Sequence, residues 1–326
     1  METRALGASG IQTTAIGLGT WAIGGWQWGG TDEASAINAI HAALDAGITL
    51  VDTAPAYGLG LSEEIVGKAL KGRREQVVLA TKCGLVWHTQ EGRHFFDQAG
   101  KPVHRYLGAA SVRYEVEQSL KRLQTDYIDL MQTHWQDPTT PISETMGALM
   151  DLKAEGKIRA IGVSNINVEQ LDAYRAAGQL DTDQEQYSMI DREIEATLLP
   201  YTRQHNIAML AYSPLALGLL TGKIGPERTF EGDDQRIGEP RFSVENRARI
   251  AALLDEFQPI AAAQDLTIPQ LVIAWTVAQP GITHVLVGAR NRAQAEENAA
   301  AGRANLSPDI VATMTEILAR HQSDIV

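Results

Sequence analysis

Short apolar, β-rich runs recur along this chain, and between consecutive runs lies a stretch with the three-and-four spacing of an amphipathic helix. Seven runs are plain: Ala15 to Thr20, Ile48 to Thr53, Val77 to Lys82, Tyr127 to His134, Ile158 to Ser164, Ile207 to Ser213 and Val285 to Gly288. An eighth, Thr182 to Tyr187, is polar and is assigned because it fills the gap between two of the others. Near-continuous apolar character, in place of alternation, fits strands covered on both faces, as in parallel sheets. The helical stretches carry matching stripes: Ile37, Ile40 and Leu44 before Gly47; Val112, Val116, Leu120 and Leu123; Met146, Leu149 and Leu152. Thr140 before Pro141 reads as an N-cap with proline in the first helical position, and Asn167 caps the next helix, which ends at Gly178. A parallel return between strands needs a long crossover, so this alternation implies parallel pairing. Eight such units close most naturally into a (β/α)8 TIM barrel.

A barrel of this kind takes about 250 residues plus insertions, so the 326 residues are read as one domain, 1–326. No repeat and no linker divides them. Arg4 to Ile16, with Gly7-Ala8-Ser9-Gly10 between apolar flanks, predicts a short β-hairpin before the barrel. Two spacings are too long for ordinary connections: Gly84 to Gly108 after the third strand and Ser213 to Ser243 after the seventh. Both are expected to be loops over a site. A net charge of -12 repels phosphate backbones and argues against nucleic acid as a partner. Cys83 is the only cysteine, and no run of about 18 apolar residues could span a membrane, so a reducing, cytoplasmic setting is expected.

Catalytic groups in such barrels gather where strands end at the C-terminal rim. Thr20-Trp21 ends the first strand, and the second runs into Asp52-Thr53-Ala54-Pro55-Ala56-Tyr57-Gly58. The third ends at Lys82, and the fourth at His134-Trp135. One Asp, one Tyr, one Lys and one His therefore reach the same rim from three adjacent strands. Hydride addition to a carbonyl leaves an alkoxide that needs a proton, and a phenol is a poor acid at neutral pH unless tuned. Lys82 beside Tyr57 is expected to lower the phenol's pKa, Asp52 to neutralise and orient Lys82, and His134 to hydrogen-bond the substrate carbonyl.

In these residues and their local motifs, D-T-A-x-x-Y-G above all, the chain resembles the aldo-keto reductase superfamily over nearly its whole length. The resemblance is nearest to the bacterial and potassium-channel β-subunit-like branches. It implies that Asp52, Tyr57, Lys82 and His134 form the catalytic tetrad. It also implies a nicotinamide cofactor, whose carboxamide would meet Ser164, Asn165 and Gln184 and whose ring would stack on Tyr212. Thr20, Trp21 and Asp52 would border that end. Ser213, Leu215 and Gly218 resemble the pyrophosphate loop, and Gly288, Arg290, Gln294, Glu297 and Asn298 the adenosine end. Arg290 would pair with a 2'-phosphate, favouring NADPH over NADH. The implied partner is a small carbonyl substrate.

Other readings are weighed against this one. Trp26 and Trp28 suit either a lid or the wall of the substrate pocket, and Trp21 and Trp135 suit pocket walls. His88, His94 and His104 lack close ligand spacing, so no metal is expected. No G-x-G-x-x-G opens a βαβ unit, which disfavours a Rossmann dehydrogenase. A redox-sensing nucleotide-binding protein with slow turnover would carry the same tetrad, and an aldolase would use Lys82 as a Schiff base.

Overall fold

The computed structural model describes every residue from Met1 to Val326. Its eight parallel barrel strands are β1 (Ile16–Gly19), β2 (Leu50–Asp52), β3 (Val78–Cys83), β4 (Ile128–Thr133), β5 (Ile158–Ser164), β6 (Thr182–Gln186), β7 (Ala208–Tyr212) and β8 (Ile282–Gly288). They pair in sequence order, and β8 closes onto β1 with Val285 opposite Ile16 and Gly288 opposite Gly19. A helix of the same number follows each of the first six strands: α1 (Glu33–Asp45), α2 (Leu61–Ala69), α3 (Ala109–Leu123), α4 (Ile142–Ala154), α5 (Val168–Ala177) and α6 (Leu198–Gln204). Two more, α7 (Val244–Ala263) and α8 (Ile268–Val277), lie between β7 and β8, and α9 (Arg292–Ala301) and α10 (Pro308–His321) end the chain. No single helix is long and apolar enough to cross a membrane.

The period of two along each strand divides its side chains between two cores. Outward residues such as Val51, Leu79, Met131, Ile161, Val163 and Met209 meet Ile40, Val66, Val116, Leu149 and Leu171 of the helices, all fully buried. Inward residues Leu50, Ala80, Leu130, Ala160, Ala208, Leu210 and Leu286 fill the barrel. A side chain at Gly17 would sit 2.8 Å from Leu286 Cδ2 and 2.9 Å from Leu50 Cδ2, so the inner layer closes only around a glycine. Leu6 and Ile11, from the N-terminal hairpin of Thr3–Ala5 and Gln12–Thr14, join this inner cluster and plug the base.

His284 shares the inward face of β8 with Leu286, fully buried, with no partner for Nε2. Burial pushes its pKa down to about 4, so the ring is neutral in the fold. Unfolded, it takes up a proton below about pH 6.5, whereas the fold resists until about 4. Stability from this group is therefore complete above about pH 6.5 and drains away as pH falls, by about 3 kcal/mol at the acid limit. We expect His284→Met to flatten the fall in urea midpoint between pH 6.5 and 4; an unchanged slope would clear His284 of the effect.

The structure corrects three local expectations. Thr140 does not cap α4: its hydroxyl donates to Asp137 Oδ2 at 2.6 Å, Pro141 stands at the cap position, and the helix begins at Ile142. The buried Asp137 carboxylate also collects Leu107 N and Thr139 N, a stronger demand than a helix cap. The stretch after β3 is no open loop but a small antiparallel sheet of Leu85–Val86, Arg93–Gln98 and Lys101–Arg105. Ala99 and Gly100, with φ of 49° and 74°, make the two-residue turn between its longer strands. β8 starts three residues before Val285, because Ile282, Thr283 and His284 continue the strand down to the plug.

Candidate active site

A cavity of about 810 Å³ lies at the C-terminal mouth of the barrel. Every residue given a catalytic, cofactor or pocket role from the sequence lines it except Lys82, which stands behind Tyr57 and is 1% exposed. β2 delivers Asp52, then the chain turns through Thr53 to Tyr57 before α2. Gly24 and Gly58 let this turn press against the loop after β1. A Cβ on Gly24 would lie 2.6 Å from the Tyr57 carbonyl carbon, and one on Gly58 2.4 Å from the Gly24 oxygen.

The four expected catalytic side chains meet there. Lys82 Nζ donates to Asp52 Oδ1 at 2.6 Å, to Thr53 O at 3.0 Å and to Tyr57 Oη at 3.3 Å. The His134 ring stands edge-on to the Tyr57 ring, with centroids 5.8 Å apart, and Trp21 stacks on its other side at 6.3 Å. Asp52 Oδ2 accepts from Gln184 Nε2 at 2.9 Å and Gln132 Nε2 at 3.2 Å. Both carboxylate oxygens are thus held inside the barrel, with Lys82 supplying the counter-charge. Gln132 was given no role from the sequence because its partner Asp52 lies two strands away in the barrel and nothing local marks the contact.

The electrostatics differ from the sequence expectation in one respect. Burial raises the Tyr57 pKa, and the opposing pull of the Lys82 ammonium does not overcome it. Removing the phenolate from water costs more than one partly balanced ammonium returns. Lys82 itself is raised: burial opposes its charge, but Asp52 and Tyr57 outweigh that. It is a held ammonium with no free amine to attack a carbonyl, contrary to the aldolase reading. Burial, seconded by Lys82, drives His134 well below the ordinary histidine range, leaving a neutral imidazole. The rim therefore presents a protonated phenol and a neutral ring to the same space.

A second set of contacts ties the floor to the tetrad. Ser164 Oγ donates to Gln184 O at 2.6 Å, and Asn165 Nδ2 donates to His134 O at 2.9 Å. Tyr212 Oη donates to Asn165 Oδ1 at 2.8 Å. Asn165 has φ of 57°, and Ser213, Ala216 and Leu217 also take positive φ, at 56°, 47° and 53°. Non-glycine residues in this conformation are strained, and three of these, Asn165, Ser213 and Leu217, line one cavity.

The two ends of the cavity differ in chemistry. Toward β4 and the inserted sheet the wall is aromatic. Trp26 stacks on Phe96 at 5.1 Å, Phe95 lies 5.3 Å from Trp135, and Trp21 meets Trp28 edge-on at 5.6 Å. The tryptophans are wall; Phe95 and Phe96 were missed because the insert read as loop. Toward β8 the lining holds Lys223, Arg228, Arg236 and Arg290, in a chain of net charge -12. Lys223 pairs with Glu297 and Arg236 with Asp234, while Arg228 and Arg290 have no carboxylate partner. Arg290 donates instead to Trp28 O at 2.9 Å and Gly30 O at 2.6 Å. Asp233 accepts from Gln27 N and Gly29 N, both at 3.0 Å, so the loops after β1, β7 and β8 join over the cavity. Gln294 Oε1 accepts from Arg290 N, and Asn298 Nδ2 donates to Gly288 O, fixing the start of α9 at this end.

A long slot, aromatic at one end and cationic at the other, with a half-buried tyrosine ring on its floor, suits a dinucleotide. Backbone N–H groups at the strained turn from Ser213 to Gly218 and the unpaired arginines fit its phosphates.

The model of the Aldo/keto reductase family matches residues 15–319. The chain is 42% identical over 323 residues to the NADH-specific methylglyoxal reductase of Escherichia coli K12, covering 97% of this chain and 98% of that protein. The glycerol dehydrogenase of Gluconobacter oxydans superposes with a TM-score of 0.88 at 41% identity, over 98% of this chain and 95% of that one. An aldo-keto reductase of Klebsiella pneumoniae in complex with NADPH gives a TM-score of 0.74 at 31% identity, over 97% and 95%.

Proposed function

Since the chain belongs to the aldo/keto reductase family and is thereby an NAD(P)H-dependent oxidoreductase, we propose that it reversibly reduces an aldehyde, ketone or sugar carbonyl to the alcohol with NADP(H), using Tyr57 as general acid and base. The observation that supports this best is the half-buried Tyr57 hydroxyl, 3.3 Å from a Lys82 ammonium that Asp52 anchors, at the foot of a dinucleotide-shaped slot.

The bound nicotinamide supplies or accepts hydride. Everything else falls to the chain. Ser164, Asn165 and Gln184 hold the carboxamide, Tyr212 backs the ring, and the aromatic wall around Trp26, Trp28, Trp135 and Phe96 holds the substrate and excludes water. His134, neutral, donates one N–H to the carbonyl oxygen and orients it. Tyr57 gives its proton to that oxygen as charge grows there, and Lys82 stabilises the phenolate left behind. In the reverse direction the phenolate is the base. A raised Tyr57 pKa keeps the acid form through neutral pH, so reduction holds steady there and falls only in alkali, whereas oxidation rises with pH.

Steady-state oxidation of NADPH against a panel of aromatic, aliphatic and sugar carbonyls tests this reading. Turnover of roughly 1–10³ s⁻¹ on at least one carbonyl is expected of an enzyme, while binding without turnover on every member would favour the redox sensor.

NADPH is proposed over NADH because Arg290 has only neutral carbonyl partners and is free to take a 2'-phosphate. The named preference of the Escherichia coli relative for NADH makes this a sharp test. Replacing Arg290 with Met should weaken NADPH by roughly tenfold to a hundredfold, the loss of a charge-assisted hydrogen bond, and leave NADH within about threefold. Equal losses would assign Arg290 to the loop junction alone.

A further inference from the structure

β6 is the polar strand of the barrel, and its outward face carries two acids where neighbouring strands carry aliphatic side chains. Asp183 is fully buried beside Val163 of β5 and Met209 of β7, which pair with it, and no donor reaches either of its oxygens. Glu185, two residues on and on the same face, is 7% exposed, and its Oε1 accepts from Ile166 N at 2.9 Å. Two ionised carboxylates in apolar surroundings with no cation are too costly to persist. Burial and the Glu185 charge push the Asp183 carboxyl well above the usual carboxylate range, and with no other partner in reach its acid proton faces Glu185, two residues along the same strand face. Burial raises the Glu185 carboxyl, and the Ile166 N–H and the facing Asp183 carboxyl oppose that.

Ile166, whose N–H Glu185 holds, directly follows Asn165 of the strained turn already described, and the Asn165 N–H goes to Gln184 O of the same strand. Asn165, at positive φ, links His134 O to Tyr212 Oη. We propose that Asp183 and Glu185 share one proton and act as a positioning pair, holding the Asn165 turn where it seats the nicotinamide end of the dinucleotide. The proposal rests on the function proposed above. It gives two buried acids a use that packing alone does not, since an aliphatic pair would fill the space without an ionic cost.

One proton is the working state. Burial sets Glu185 at about 7, so in acid it becomes neutral and a weaker acceptor for Ile166 N. In alkali Asp183 also ionises, and two negative charges face each other behind the turn. The other groups around the pair are few. Tyr212, from β7, feels the Glu185 charge and, raised by burial, keeps its proton. Just before β6, Asp181 accepts from Ile161 N and lies 3.7 Å from Lys153 of α4. No ammonium or guanidinium acts on either acid.

The test is NADPH binding by tryptophan-fluorescence quenching between pH 6 and 10 for wild type, Asp183→Asn and Asp183→Leu, with melting temperature followed in parallel. An asparagine donates to Glu185 without a proton to lose. Asp183→Asn should therefore bind within about threefold of wild type at neutral pH and keep that affinity in alkali, where wild type weakens. Asp183→Leu should bind roughly tenfold more weakly, one hydrogen bond's worth, with KM for NADPH raised and kcat little changed. Identical pH profiles for wild type and Asp183→Asn would overturn the proposal, and that comparison decides even if the leucine variant fails to fold. Wild type that binds no NADPH at any pH would instead sink the function proposed above, and this inference with it.

Discussion

Replacing Tyr57 with phenylalanine should lower kcat by roughly 10²–10⁴-fold, the usual worth of general acid–base catalysis, with NADPH affinity nearly unchanged. The ring stays, so its contacts with Trp21 and His134 survive and the cavity keeps its shape. Only the hydroxyl is lost, and with it the one proton donor beside the Lys82 ammonium. His134 cannot substitute, because as a neutral ring it orients the carbonyl but is too weakly acidic to be left as imidazolate. Stopped-flow reduction at saturating NADPH, with fluorescence titration of the same preparation, reads both quantities. Turnover within tenfold of wild type would remove Tyr57 from the acid role.

The second large effect is on stability as well as rate. Lys82→Met removes the one cation paired with the buried Asp52 carboxylate, and breaking such a pair from one side costs about 3–5 kcal/mol. Gln132 and Gln184 still donate to Asp52 Oδ2, so the lower half of that range is expected. The phenolate loses its stabiliser too, so oxidation of the alcohol should lose its activity near neutral pH and recover only in stronger alkali. Adding Asp52→Asn should return most of the stability and none of the activity. Urea midpoints and alcohol-oxidation pH profiles for the single and double variants separate the two roles. A double variant no more stable than the single one would mean that unpaired charge is not what destabilises it.

The barrel and the meeting of Asp52, Tyr57, Lys82 and His134 at its mouth were legible in the sequence for the same reason: both depend on local pattern. The strand Ile158–Ser164 matches its observed bounds because its apolar run is broken only by the exposed Arg159 and the capping box at Asn167 and Gln170 begins the next helix. Asp52, Tyr57, Lys82 and His134 sit at strand ends that the topology brings together. What stayed hidden depends on partners far apart in the chain. The loop-borne Lys223, Arg228 and Arg236 form a cationic end only because the loops after β1, β7 and β8 are joined through Asp233 and Arg290. Arg290 itself was assigned to a phosphate alone, and the carbonyls it holds could not be foreseen. The direction of the Tyr57 shift was misjudged because a sequence shows which charges are near but not how much water is excluded. The polarity of β6, which made it the hardest strand to find, is the mark of the acid pair behind the site.

If this cavity passes hydride and proton to opposite ends of one carbonyl, the hydride must travel from the nicotinamide to the carbonyl carbon without exchanging with water. Label transfer addresses it directly. NADPH deuterated at nicotinamide C4, on each face in turn, is incubated with the wild-type enzyme and a carbonyl found active in the panel, and the alcohol is analysed by mass and proton spectra. The account predicts deuterium on the carbinol carbon from one labelled face and from the other none, with the hydroxyl proton from solvent. Alcohol formed without deuterium from either face, or label lost to water, would contradict it.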